Sequence, residues 1–178
     1  GVLYTHHHKD HVAGMDDIRA FNYKWRKDIN IYCNNITKKA LYNEFPYVFE
    51  EVKYPGVPKV NINLFSNKHF YVNDVKIVPI KAMHYKLTVF GFRINNFVYL
   101  TDVSEISDKE KQKLYNADLV VLDALRKEKH ISHFSLDEAL SLLSEVKPKQ
   151  AVLTHISHYM GLHDEVNKEL PDNVSKYE

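Results

Sequence analysis

The chain has 178 residues, of which 44% are hydrophobic and 26% charged, and its formal net charge is +1. That length suits one domain with a core, the composition is not that of a disordered chain, and the charge excludes a broad polycationic surface built for nucleic acid. A lone cysteine, Cys33, excludes an internal disulfide framework and fits a reducing compartment, while no run approaches the ~20 apolar residues that cross a bilayer and no signal peptide is visible, so a cytoplasmic location is expected.

Val2 to Tyr4 reads as a short buried strand. After the histidine-rich stretch that follows it, a helix is expected from about Ala13 to Arg19, with Asp16 and Asp17 at its positive N-terminal end rather than on a metal. Asp28 to Cys33 reads as a strand in which Cys33 is a small buried apolar residue. Ile36 to Glu50 reads as a helix broken at Pro46, and Tyr54 to Pro58 as a loop.

From Val60 the pattern turns to β. Val60 to Phe65, His69 to Val72 and Val75 to Ala82 are strands, with His69 at the surface. Thr88 to Ile94 and Phe97 to Thr101 form a hairpin around Asn95-Asn96, a pair that tolerates positive φ. Ser107 to Tyr115 is a helix with Ser107 as N-cap and Glu110 three residues on. Ala117 to Leu122 and Ala151 to Leu153 are buried strands on either side of a helix, Ser135 to Val146, that carries the capping box Ser135 and Glu138. Strands first in hairpins and then alternating with helices suit an α/β sandwich with helices outside two sheets.

Chemistry is concentrated at the start, in Thr5-His6-His7-His8-Lys9-Asp10-His11. Imidazole nitrogens and carboxylate oxygens are the ligands expected for zinc and similar divalent cations. His6 and His8 are two apart and share a side of an extended segment, leaving His7 pointing away. Asp10 and His11 follow where the chain must turn, so two ligands can face one metal and two its neighbour. A purification tag is an unbroken run without an aspartate, a preceding strand and a following helix.

Three strand ends share one pattern: Val-Leu-Tyr-Thr-His6, Val-Tyr-Leu-Thr-Asp102 and Ala-Val-Leu-Thr-His155. Ligands at the ends of buried strands are held rigidly, and a preceding threonine can orient each by a local hydrogen bond. His84 lies just beyond the strand ending at Ala82. Asp123 repeats the pattern without the threonine, as a partner for a ligand histidine or as a cap for the next loop.

The stretch THHHKDHVAGMDDIR resembles the His-x-His-x-Asp-His signature of the metallo-β-lactamase-fold hydrolases. Its Gly-x-Asp-Asp-x-Arg continuation is similar to the branch containing phosphoribosyl 1,2-cyclic phosphate phosphodiesterase and, more distantly, tRNase Z. The resemblance implies an αββα four-layer sandwich, here one domain over residues 1–178, lacking the N-terminal strands of its relatives and slightly short at the C-terminus. It implies that His6, His8 and His84 hold one metal, that Asp10, His11 and His155 hold the other, and that Asp102 bridges them. Zinc is the expected ion, with manganese as the alternative.

In the relatives a histidine just before the capped helix lies near the substrate phosphate, and His133 matches it; the position also suits a loop histidine that seats the helix. His133 would protonate the leaving alkoxide or clamp a phosphate oxygen, Arg126 is a phosphate-clamp candidate, and Asp10 would orient the nucleophile. His130 is a neighbour, and His158 and His163 are expected in a polar loop. The His-Glu-Ala-Thr segment of tRNase Z is replaced by Leu125-Arg126-Lys127-Glu128-Lys129-His130, and no Gly/Pro-rich arm for tRNA is present, which lowers the tRNA-processing reading. The implied activity is a dinuclear phosphodiesterase. Its partner is a small phosphodiester, with nucleic acid a lesser expectation, no membrane, and a homodimer admitted. The rivals are a tRNA 3′ endonuclease, a thioester or lactam hydrolase of the same fold, and a metal-stabilised binding module without turnover.

Overall fold

In a computed structural model the chain forms two units, residues 1–66 and 67–178, each with its own apolar core; residues 1–52 and 54–176 are described.

In the first unit, β1 (Val2–Leu3), β2 (Ile29–Cys33) and β3 (Val60–Leu64) form a parallel sheet in that order. The alternation of Ile29, Ile31 and Cys33 with polar neighbours buries one face of β2, and Cys33 is fully buried as expected. The helical segment after the histidines is longer than the spacing predicts. It starts as α1 (Lys9–Val12), tightens to a 3-10 turn over Ala13–Asp17 and continues as α2 (Ile18–Trp25). Asp10 and His11 therefore lie in a helical first turn rather than in a bend. Asp16 lies in the first turn of the 3-10 segment and Asp17 is the N-cap residue of α2, so both stand at helix starts, and the Asp16 carboxylate also accepts a 2.7 Å hydrogen bond from the Tyr47 hydroxyl. Two helices, α3 (Asn35–Glu44) and α4 (Pro46–Phe49), meet at Pro46 as expected. The side chain of Asn34 caps α3 by accepting from the Thr37 amide at 2.7 Å. Val12, Met15, Ile18, Ile31, Leu41 and Val48 fill this unit's core.

The second unit is a seven-stranded sheet in the order β10-β9-β8-β7-β6-β5-β4. Its strands are β4 (Phe70–Val72), β5 (Val75–His84), β6 (Leu87–Ile94), β7 (Phe97–Leu100), β8 (Leu119–Asp123), β9 (Gln150–Thr154) and β10 (Val174–Lys176). The β6–β7 hairpin turns at Asn95, whose φ of 53° is the positive value the Asn-Asn pair tolerates. β5 is antiparallel to β6, and β6 to β7, while β7, β8 and β9 are mutually parallel. Hence β5, β7, β8 and β9 all run the same way, and their C-terminal ends share one edge of the sheet. In α/β sheets that edge is where ligands bind.

Helix α6 (Leu136–Val146) buries Leu136, Ala139, Leu142, Leu143 and Val146, an i, i+3, i+6, i+7, i+10 stripe, in the sheet's apolar cluster. Its capping box forms in full between Ser135 and Glu138. The helix expected over Ser107 to Tyr115 is only α5 (Asp108–Lys111), and Ser107 makes no side-chain cap. Glu110 is drawn away to the Asn67 side chain, the Lys81 amide and Lys113. His158 opens a 3-10 turn and His163 opens α7 (His163–Glu169), so neither lies in an irregular loop. No helix among the described residues is long and apolar enough to cross a membrane.

Candidate metal centre

β1 delivers its chain into Thr5 and His6, both buried. The Thr5 hydroxyl lies 3.1 Å from His6 Nδ1, which leaves Nε2 as the ring nitrogen aimed elsewhere. The extended step from His6 to His8 puts both rings on one side, 4.6 Å apart. His8 then becomes the N-cap of α1, and its carbonyl accepts from the amides of His11 and Val12 at 3.0 and 3.2 Å. That turn folds His11 back until its ring centroid is 4.2 Å from that of His6. Asp10 Oδ2 is 3.3 Å from His11 Nε2. Three imidazoles and a carboxylate are thus gathered within two turns of chain, with His6 buried and His8 and Asp10 exposed.

In the second unit the common strand direction collects His84 from the end of β5, Asp102 from just past β7, Asp123 from the end of β8 and His155 from just past β9. His84 is the last residue of its strand, which runs two residues beyond Ala82. His133, from the loop before α6, joins them and is buried. Asp102 is the hub. Its Oδ1 is 3.4 Å from His155 Nε2, 3.8 Å from His133 Nδ1 and 3.9 Å from His84 Nε2. The Thr101 hydroxyl donates to its Oδ2 at 2.9 Å. So the strand–Thr–ligand pattern works as expected at His6 and Asp102.

These separations bear on what the cluster can hold. Two ligand atoms each about 2.0–2.1 Å from a tetrahedral zinc are ~3.3 Å apart, and 3.4–3.9 Å is closer to that than to a hydrogen bond. His84 Nδ1 lies 2.6 Å from the Ser132 carbonyl oxygen, which can only accept, so Nδ1 carries a proton and in the neutral imidazole Nε2 is the nitrogen with a lone pair, facing Asp102. Two electron-pair donors facing each other at this distance suit a cation between them. Asp102, His133 and His155 also lie close enough to one another to hold a cation, an alternative for His133 Nδ1 to its contact with Asp123.

Asp123 is fully buried, and its two oxygens accept from the Val103 amide at 3.2 and 3.3 Å. Burial, reinforced by the Asp102 charge, pushes its carboxyl up to about 8. His133 Nδ1 is 3.3 Å from Asp123 Oδ2, so Asp123 partners a histidine, but it is His133 and not one of the ligand histidines that the resemblance implies. His130 is a neighbour of His133, 5.3 Å ring to ring, and burial lowers its pKa. Arg126 donates to the carbonyls of Glu128 and Lys129 in its own loop at 3.4 and 3.0 Å. His69 is exposed beside Tyr71, His158 packs on Tyr159, and His163 contacts Asp164 and Asn167.

Two features were not legible in the sequence. One is the carbonyl of Ser132, a backbone group with no residue-type signal, which orients His84. The other is backbone conformation: Asp102 and His155 both have left-handed φ, 59° and 56°. Non-glycine residues rarely sit there, and such strain persists where surrounding structure holds it, commonly at functional sites. Each strand ends by turning sharply and throwing its ligand-type side chain to the shared edge.

The Beta-lactamase superfamily domain matches residues 1–156. The chain belongs to this superfamily. The crystal structure of a new diphosphatase from the PhnP family is 30% identical, with a TM-score of 0.89 over 98% of this chain and 67% of that one. The YhfI protein of Bacillus subtilis, a metallo-β-lactamase fold protein, follows at 22% identity and a TM-score of 0.77, covering 99% of this chain and 73% of that one. The short form of human tRNase Z, at 17% identity and a TM-score of 0.70 over 99% of this chain and 75% of that one, shares the fold. An octanoyltransferase from Porphyromonas gingivalis (strain ATCC BAA-308 / W83) is 30% identical over 175 residues, 97% of this chain. The chain spans only 35% of that relative's length. The expected α/β, metallo-β-lactamase-type fold and the kinship with the PhnP branch are thereby borne out, and the superfamily supports a metal-dependent hydrolase.

Proposed function

We propose that this superfamily member hydrolyses a phosphodiester at a dinuclear metal centre, the substrate being a small cyclic or linear diester such as phosphoribosyl 1,2-cyclic phosphate. The observation that carries the reading is Asp102, a buried carboxylate faced by His84, His133 and His155 at 3.4–3.9 Å on one sheet edge. On this reading His6, His8 and His84 serve one cation, Asp10, His11 and His155 serve the second, and Asp102 serves both. Zinc suits this nitrogen-rich set, with manganese as the alternative because carboxylates contribute.

Bound divalent cations supply Lewis acidity, lowering the pKa of water and offsetting charge on phosphoryl oxygens. The chain's own residues do the rest. Thr5, Thr101 and the Ser132 carbonyl fix the rotation of His6, Asp102 and His84, so that little reorganisation accompanies reaction. Asp10 orients the attacking oxygen. His133, held through Nδ1 by Asp123, presents Nε2 as the atom that gives a proton to the leaving oxygen. Arg126 is a phosphate clamp only after releasing the loop carbonyls it now holds.

A second reading is favoured by one comparison: the 30%-identical structure is named a diphosphatase, which points to a phosphoanhydride. The octanoyltransferase name belongs to a polypeptide of which the matched part is about a third, so acyl chemistry enters only as an assay arm. The test is hydrolysis of phosphoribosyl 1,2-cyclic phosphate, of a diphosphate ester and of an acyl thioester, with zinc or manganese and a chelator control. Chelator-sensitive turnover of the cyclic diester, lost in Asp102→Ala, supports the proposal. Turnover of the diphosphate or the thioester alone replaces it, and a two-metal protein that turns over none of the three overturns the small-phosphodiester reading.

A further inference from the structure

The first unit contains a cavity of about 630 Å³ whose lining includes none of the histidines above. Arg19, Tyr23 and Arg26 stand at i, i+4 and i+7 on one face of α2 and at its C-cap. Lys24, Lys27 and Lys59 complete a lining of five cations, against one carboxylate, Asp28, in a chain whose net charge is only +1. None of the five forms an ion pair among the described residues; Lys27 instead lies 5.8 Å over the Trp25 ring. Lys24, Arg26 and Lys27 also complement the negative end of α2, but Arg19 at its first turn and Lys59 beside β3 have no such duty.

The floor is preorganised. The Asn22 side chain donates to the carbonyls of Lys27 and Lys59 at 2.9 and 2.8 Å and accepts from the Lys59 amide at 2.9 Å, tying the helix to the residue before β3. Gly56, at φ +96°, has nothing within 4 Å of where a Cβ would be, so that wall stays open. Tyr23 is 89% exposed at the rim. A concave site of this volume is of small-ligand size. Uncompensated guanidinium and ammonium groups recognise phosphate, and an unburied aromatic ring offers a face to a base.

We propose that this cavity binds a nucleoside diphosphate or triphosphate, the phosphates held by Arg19, Arg26 and Lys59 and the base stacked on Tyr23. The site is independent of the catalytic reading. It is tested by calorimetric titration of the intact chain with ADP, inorganic pyrophosphate and adenosine, in chelator so that metal-held phosphate does not contribute. Saturable ADP binding is expected, weakened about tenfold or more by the Arg19→Gln/Lys59→Gln double substitution and unchanged by Asp102→Ala. Tyr23→Ala should bring ADP down to the affinity of pyrophosphate and leave pyrophosphate itself unaffected. Lys24→Gln/Arg26→Gln is the second variant should the first fail to fold, and a thermal melt checks both. The proposal is overturned by ADP binding that survives a folded double variant, by pyrophosphate binding as tightly as ADP, or by no saturation with ADP below about 1 mM.

Discussion

His84 Nδ1 and the carbonyl oxygen of Ser132 are 2.6 Å apart, and this contact decides which nitrogen of His84 faces Asp102. A carbonyl has no proton to give, so Nδ1 carries a proton and the neutral ring has its lone pair on Nε2. The loop before α6 thus sets the tautomer of a side chain at the end of β5, 48 residues away in sequence. His84→Ala should lower bound metal from two ions per chain to about one and cut turnover by more than ~100-fold, the upper end of what losing an orienting partner costs. Metal analysis and kinetics read the two effects separately, and full occupancy of both sites in a folded His84→Ala protein would remove His84 from the ligand set.

On the proposed reading Asp123 positions His133, whereas Asp102 serves the cations. Asp123→Asn keeps the shape and the contact with the Val103 amide while weakening the partner of His133. The expected result is a fall in kcat of about 10–100-fold with metal content nearly unchanged. A variant that loses its metals as well would place Asp123 in metal retention rather than in the orientation of His133.

Glu110 is a test of stability outside the site. Its buried carboxylate accepts from Asn67 Nδ2 at 2.7 Å, the Lys81 amide at 2.8 Å and Lys113 Nζ at 2.6 Å. Burial opposes its charge, but these donors outweigh burial and hold its pKa below the usual carboxylate range. A depressed folded-state pKa stabilises above the unfolded value of about 4.3 and ceases to do so as pH falls through the folded value. Acid melts from pH 6 downward should show this loss in the wild type and lack it in Glu110→Gln. Glu110→Ala, which takes the acceptor from the Lys81 amide and Asn67 Nδ2 while Lys113 keeps Asn67 Oδ1 and the Pro79 carbonyl, should cost about 1–3 kcal/mol at neutral pH by chemical denaturation.

Cys33 should be inert. It is fully buried at the end of β2, and burial pushes its thiol up to about 11. A thiol reagent at pH 8 should label the native protein far more slowly than the denatured one. Equal rates in the two states would mean that the first unit opens readily.

Much of the architecture is local in origin and was therefore legible. Alternation marked β2, Asn95-Asn96 marked a hairpin turn, and Ser135 with Glu138 marked the start of α6, because each depends on neighbours within a few residues. The strand–Thr–ligand pattern likewise exposed Asp102 and His155 as site candidates. Tertiary structure decided what local rules could not. The same Ser and Glu spacing that caps α6 fails at Ser107, because Asn67, Lys81 and Lys113 offer Glu110 better partners from elsewhere in the chain. Whether Asp123 capped a loop or held a histidine depended on where His133 came to rest. The metal-ligating residue types were written in the sequence. Their convergence came from the common direction of β5, β7, β8 and β9 and from the left-handed turns at Asp102 and His155, since a sheet edge exists only once distant strands have paired.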